Sequence, residues 1–272
     1  MRLMFGGFSD PTKVGERQRS ASPAEIVSSK HKPQKKFMLK GVFIAIDGID
    51  GSGKATQAKL LAERIRKEKK RVRVFDFPQY GKKSAGAVEE YLNGKYGPAS
   101  EVSPEVASYF FAVDRYDASF AIRKALADGE IVIADRYIAA NIGHQGGGFA
   151  RDRRKWLRYV EWLEQLEYSV FSIPKPDAYF IFMISPDLSR RSSGRNTDSE
   201  KIEKRTSYLG KKRQDILERD SAHLKSALQS YRWLVSEYPK RFTPVDCAPG
   251  GVFRPIQEIH EEIWKKVAPL IK

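Results

Sequence analysis

The run Gly48-Ile49-Asp50-Gly51-Ser52-Gly53-Lys54 constrains this chain more than any other feature, because of what stands on either side of it. Ahead lies the apolar stretch 42–47, of strand length. Behind lies 54–69, where Ala58, Leu61, Ala62 and Ile65 recur on one helical face with Lys and Arg on the other. A G-x-x-x-x-G-K spacing between a strand and a helix describes a phosphate-cradling loop. Its glycines let successive N–H groups turn inward, the helix N-terminus adds positive potential, and Lys54 reaches the terminal phosphates. Gly48, Ile49, Asp50, Gly51, Ser52, Gly53, Lys54, Ala55 and Thr56 are the expected contacts to a nucleoside triphosphate. Residue 55 departs from the pattern, since the Ser or Thr that normally offers magnesium a hydroxyl is Ala55. Thr56 lies about 100° further round the helix and does not substitute for it. Mg2+ is then expected to be held by water and phosphate oxygens, with Asp50 or Asp135 as the protein's carboxylate. A non-catalytic polyanion binder stays open as the alternative.

From Gly41 onward short apolar runs alternate with longer amphipathic stretches, the pattern of a parallel sheet covered by helices. Strands are expected at 42–47, 72–76, 131–135, 178–184 and 242–246, and helices at 54–69, 84–93, 104–128, 152–168, 212–237 and 255–268. The expected class is α/β, three layers, with a mainly parallel five-stranded sheet. At 272 residues and 41% hydrophobic content one enlarged domain is the default, spanning 39–272. Residues 1–38 mix Gly, Ser, Pro and Lys without apolar periodicity and read as a basic, disordered extension, with an organellar targeting peptide as the alternative.

No apolar stretch approaches the length needed to cross a bilayer, so no membrane partner is expected. The lone Cys247 rules out an intramolecular disulfide and fits a reducing, cytoplasmic setting. The formal charge of +15 raises the question of nucleic acid, but its distribution argues against that. Nine basic residues against three acidic ones fall in 1–40, and nine against three again in 188–213. Small phosphorylated ligands suffice for the second segment, and no nucleic acid partner is expected.

A second constellation ends a buried-strand pattern: Ile131-Val132-Ile133-Ala134-Asp135-Arg136-Tyr137. The carboxyl edge of a parallel sheet is where ligands bind, and there Asp135 can orient magnesium waters while Arg136 grips a phosphate bidentately. A structural ion pair is the alternative. Alongside it stand Phe77-Pro78-Gln79-Tyr80-Gly81, Phe110-Phe111-Ala112-Val113-Asp114-Arg115 and His144-Gln145-Gly146. With these elements in this order, from about Gly41 to Lys272, the chain resembles the thymidylate kinase family.

The resemblance implies a P-loop kinase fold and ATP-dependent phosphorylation of dTMP to dTDP with Mg2+; another nucleoside monophosphate or deoxynucleoside acceptor is the rival. It implies that Phe111 stacks on the pyrimidine, Arg115 bonds a base carbonyl, and Arg136 holds the monophosphate. Asp50 contacts the acceptor's sugar hydroxyl or the metal region, and Phe77, Pro78 and Tyr80 shape the pocket. Where the family commonly reads x-x-S-x-x-A-Y-Q, this chain has Ala140, Asn141, Gly143, His144 and Gln145. Asn141 and Gln145 remain base contacts, but His144 stands where a Tyr helps exclude a ribose 2′-hydroxyl, so deoxy selectivity is open. Ser185 to Gly210 is expected as a mobile loop, and the resemblance makes about 186–212 an arginine-rich lid. Arg190, Arg191 and Arg195 are its catalytic candidates, followed by Arg205, Lys211, Lys212 and Arg213. Asp215 to Asp220 resembles the family's D-x-x-E element, making Glu218 a contact to acceptor or metal, or else a surface salt bridge. The resemblance also implies a homodimer built on long helices such as 104–128.

Overall fold

Five runs rich in branched and aromatic residues pair into one sheet because helices on both faces can cover both sets of side chains. The computed structural model describes residues 41–193, 216–219 and 221–272. The strands are β1 (Phe43–Gly48), β2 (Val72–Asp76), β3 (Ile131–Asp135), β4 (Ala178–Met183) and β5 (Thr243–Asp246). Their order is β2-β3-β1-β4-β5, and every adjacent pair is parallel, so the sheet is wholly rather than mainly parallel among the described residues. The helices are α1 (Lys54–Lys67), α2 (Gly86–Leu92), α3 (Pro104–Ala127), α4 (Ile138–His144), α5 (Arg153–Glu164), α6 (Pro186–Ser193), α7 (Ile216–Arg219), α8 (Ser221–Glu237) and α9 (Ile256–Val267).

The central strand β1 is buried at every position, flanked by β3 and β4. The main core gathers around it, with Phe43, Tyr137, Trp156, Phe180, Tyr231 and Phe242 among its largest members. A smaller cluster of Val88, Tyr91, Leu92, Ala107 and Leu217 joins α2, α3 and α7 beside the sheet's carboxyl edge. The chain leaves β1 toward β2 and leaves β3 toward β4, on opposite sides. A crevice therefore opens between the ends of β1 and β3.

Three departures from the sequence pattern matter for the site. Residues 186–193 form α6, where a mobile loop was expected over 185–210; the rest of that stretch lies outside the described residues, as does the 1–38 tail. Helix α4 was not anticipated. It is short, yet all seven of its residues are buried, and a Cβ on Gly143 would stand 2.1 Å from the Tyr231 ring, so only glycine lets α8 approach. The helix expected over 152–168 starts on the Asp152 cap, whose Oδ1 accepts from Arg154 N and Lys155 N. It widens after Glu164 into a π turn, Gln165–Val170, of the kind that re-aims side chains.

Candidate active site

The loop after β1 begins at Gly48, where φ is +137° and a Cβ would lie 2.4 Å from the Phe182 carbonyl oxygen of β4. No other residue fits that conformation so close to the neighbouring strand. Ile49 is wholly buried and pins the loop to the core, while Ser52 and Lys54 are buried too. Lys54 Nζ donates to Ile49 O at 2.8 Å, folding the ammonium back across the loop. Burial and the nearby Arg136 lower its pKa to about 8, against the pull of Asp50, Asp135 and Asp47. Thr56 faces solvent and Ala55 is half-buried, so neither offers an oxygen to the loop's interior. Helix α6 closes on the loop from outside. Ser189 Oγ donates to Asp50 O at 2.6 Å, and Ser192 Oγ lies 2.9 Å from Gly51 O.

At the adjacent strand end, Arg136 N continues the ladder to Ile46 O at 2.9 Å, and the residue turns into the left-handed region with φ +68°. That conformation is costly for arginine and recurs where a side chain must be aimed. Here it delivers the guanidinium to Asp50, with which Arg136 forms an ion pair. Burial disfavours the Asp50 carboxylate, but Arg136 and Lys54 outweigh it and hold its pKa far below the usual range. Burial likewise opposes the charge on Arg136, and Asp50 and Asp135 overcome it. Asp135 is buried at the end of β3 and acts electrostatically on both Lys54 and Arg136. Asp50, Lys54, Asp135 and Arg136, each singled out separately in the sequence, are thus brought together.

The residues expected on the acceptor side are more divided. Phe77 and Pro78 are buried and joined by a cis peptide bond, and Tyr80 is half-buried against the smaller cluster. Phe111 is half-buried in the same cluster, edge-on to Tyr91 with ring centres 6.2 Å apart. Arg115, one turn further along α3, donates through Nε and Nη2 to Glu167 at 2.6 Å each. Two of its groups are therefore committed to a protein partner. Asn141 is buried and gives Nδ2 to Ser108 O at 3.2 Å, whereas the buried Nε2 of Gln145 finds no partner among the described residues. His144 Nδ1 lies 3.2 Å from His223 Nε2 with the rings stacked, and Tyr231 meets it edge-on. Burial, then His223, pushes the His144 pKa well below the usual imidazole range, so the ring is neutral.

Arg190 and Arg191 sit on the exposed side of α6, Arg190 pairing with Asp187 at 2.6 Å. Arg195, Arg205, Lys211, Lys212 and Arg213 lie outside the described residues, and Glu218 belongs to α7. Among the described residues no cluster of three His, Cys, Asp or Glu side chains stands ready to hold a metal ion. Asp50 and Asp135 beside a phosphate loop still suit Mg2+, which takes one or two carboxylates and completes its shell with water and substrate phosphates.

Several residues that organise the site had no role in the sequence reading. Asp47 is buried at the end of β1, its Oδ2 accepting from Tyr137 N and Tyr179 OH while Oδ1 has no partner among the described residues. Burial lifts its pKa to about 7 against those hydrogen bonds and Arg136. An acid inside an apolar strand was the available signal. Asp114 holds the Phe77–Gly81 turn, accepting from Gln79 N at 2.8 Å and Ser84 Oγ at 2.7 Å. Gln57 Nε2 donates to Ile256 O at 2.8 Å, tying the phosphate helix to the segment after β5. Glu167, His223, Ser189 and Ser192 offered no local signal, because their partners are far away in the chain.

The profile described as thymidylate kinase matches residues 46–236. The thymidylate kinase of Mycobacterium tuberculosis strain H37Rv is 30% identical over 156 residues, covering 57% of this chain and 72% of that protein. A probable thymidylate kinase of Methanosarcina mazei is 26% identical over 240 residues, covering 86% and 98%. The solved thymidylate kinase of Candida albicans shares the fold, with a TM-score of 0.59 at 20% identity over 84% of this chain and 92% of that one. Among the described residues no helix is long and apolar enough to cross a membrane. With its phosphate loop, its Asp135-Arg136 strand end and a family match running through both, this chain belongs to the thymidylate kinase family.

Proposed function

We propose that this protein transfers the γ-phosphoryl group of ATP to the 5′-phosphate of dTMP, giving dTDP and ADP. As a member of its family it is an ATP-using nucleoside-monophosphate kinase. The observation that carries the reading is the convergence of Lys54, Asp50 and Arg136 where β1 and β3 end, with Tyr80, Phe111 and His144 on the acceptor side. Two anionic substrates repel, so catalysis here is positional and electrostatic. Lys54 neutralises the donor's terminal phosphates, and Arg136, aimed by Asp50, receives the acceptor's phosphate. Arg190, Arg191 and Arg195 supply guanidinium groups to the charge that develops on the transferred group. A phosphate oxygen of the acceptor is already a nucleophile, so no general base is needed.

Phe111 offers a face for the pyrimidine, and Phe77, Pro78 and Tyr80 wall the pocket. Arg115, steadied by Glu167, keeps Nη1 to donate to a base carbonyl. The Nε2 of Gln145, without a partner among the described residues, is a second donor, and Asn141 is a further base contact. The loop residues Gly48, Ile49, Asp50, Gly51, Ser52, Gly53, Lys54, Ala55 and Thr56 surround the triphosphate. Mg2+ would be held through Asp50, Asp135 and Glu218, largely by way of water since residue 55 lacks a hydroxyl, and it supplies charge screening between the phosphates. We further assign one kinase domain to 39–272 with a lid at 186–212, an N-terminal extension to 1–38, a homodimer, and work in the cytoplasm.

The test is coupled ADP release by the full chain with dTMP, dUMP, dCMP, dGMP and thymidine. The highest kcat/KM is expected for dTMP, and preference for dCMP, dGMP or the free nucleoside would sink the assignment. Lys54→Ala should lower turnover by at least about a hundredfold at an unchanged unfolding temperature.

A further inference from the structure

Ser189 and Ser192 stand one turn apart on α6, and both reach the phosphate loop. Together with Lys54 they engage three successive carbonyls: Nζ takes Ile49 O, Ser189 takes Asp50 O, and Ser192 takes Gly51 O. The peptide unit is planar and trans, so the C=O of one residue and the N–H of the next point in opposite directions. Holding Asp50 O against α6 therefore commits Gly51 N–H to the far side of the loop. Holding Gly51 O does the same for Ser52 N–H. The tether matters here because Gly51 has no Cβ and sits at φ +71°, where a peptide can flip with little resistance. An anion cradle works only while its N–H groups converge on the ligand.

We propose that Ser189 and Ser192 are positioning residues of the phosphate loop. By holding two carbonyls outward they keep the Gly51 and Ser52 N–H groups turned toward the nucleotide's phosphates. They also fasten the helix carrying Arg190 and Arg191 to the loop it serves. Ser189 has the larger share, since its 2.6 Å bond is made by a residue only 1% exposed. Ser192 divides its one proton between Gly51 O and its own helix, where Leu188 O lies at 2.9 Å and Ser189 O at 3.1 Å. The inference rests on reading Gly48–Lys54 as a nucleotide phosphate site, and it does not require dTMP to be the acceptor.

The test is calorimetric binding of ADP, and separately of dTMP, to the full-length parent and to Ser189→Ala, Ser189→Cys, Ser192→Ala and the double Ala variant. Ser189→Ala should weaken ADP by about tenfold and Ser192→Ala by about threefold, because the untethered peptides then flip and only the fraction of the loop with its N–H groups inward binds. Ser189→Cys keeps the volume but donates weakly, so it should follow Ala. Binding of dTMP should stay within about twofold of the parent, and KM for ATP should rise while KM for dTMP holds. A merely structural role would instead weaken both ligands together and lower the unfolding temperature in step. Unchanged ADP affinity in the double variant, equal losses for ADP and dTMP, or full affinity in Ser189→Cys overturns the proposal. If Ser189→Ala fails to fold, Ser189→Cys and Ser192→Ala carry the test. A parent that binds ADP but leaves dTMP unphosphorylated unseats the acceptor assignment alone; a parent that does not bind ADP overturns both.

Discussion

Arg115 on α3 and Glu167 in the π turn after α5 meet through two parallel hydrogen bonds of 2.6 Å, with both side chains withdrawn from solvent. Burial opposes the charge on Arg115, and Glu167 more than offsets it, so the guanidinium is held ionised inside the protein. Removing one partner leaves the other buried and uncompensated. Glu167→Gln is expected to lower the unfolding free energy by about 3 kcal/mol or more. The pair Glu167→Leu with Arg115→Met should recover most of that stability while losing thymine preference over cytosine. Urea unfolding and kcat/KM for dTMP and dCMP measure the two effects, and a loss under about 1 kcal/mol for Glu167→Gln would show that the carboxylate is not needed.

Asp47 supplies a pH dependence of the opposite sense from that of most carboxylates. Its folded pKa of about 7 lies above the unfolded value of roughly 3.9, so between those values the native state binds a proton that the unfolded state has released. Its contribution to stability therefore declines as pH rises through that window and is lowest above about 7. Asp47→Asn keeps an oxygen for Tyr137 N and Tyr179 OH and removes the ionisation. The unfolding temperature of Asp47→Asn relative to the parent should climb from pH 5 to pH 8 and then level, and a flat difference would count against the raised pKa.

Sugar selection can be tested at His144. Its neutral ring is stacked on His223, and the resemblance to the family puts it in the position of a tyrosine. His144→Tyr should reduce kcat/KM for the ribo form of thymidine monophosphate relative to dTMP by about tenfold. Rates on both nucleotides decide it; an unchanged ratio means that position 144 does not read the sugar.

Helix α3 carries Val106, Tyr109, Val113, Tyr116 and Phe120 at alternating spacings of three and four, 40–57% exposed on the described chain. Such a seam suits a second helix at close range. The parent should scatter light as a dimer and Phe120→Glu as a monomer at the same concentration. A monomeric parent would remove the homodimer.

How much of the site was legible follows from distance along the chain. The phosphate loop, the Asp135-Arg136 strand end and the helix carrying Phe111 were readable because glycine spacing, strand length and helical period involve neighbouring residues only. Helix α6 was misjudged as loop because Ser185 to Gly210 is poor in apolar residues; hydroxyl contacts to the phosphate loop help to hold it. Arg115 was expected to bond a base carbonyl, and nothing local in the sequence pointed to Glu167, 52 positions away, which takes two of its donors.

The sequence by itself therefore determined the class of fold, the nucleotide loop and the charged side chains gathered around it, since each is written in local spacing. Only the tertiary structure decided which of those groups are paired, neutral or held outward. Those states depend on burial and on partners as remote as Ser189 from Asp50, 139 residues apart, and no local pattern encodes the desolvation or the geometry that such contacts impose.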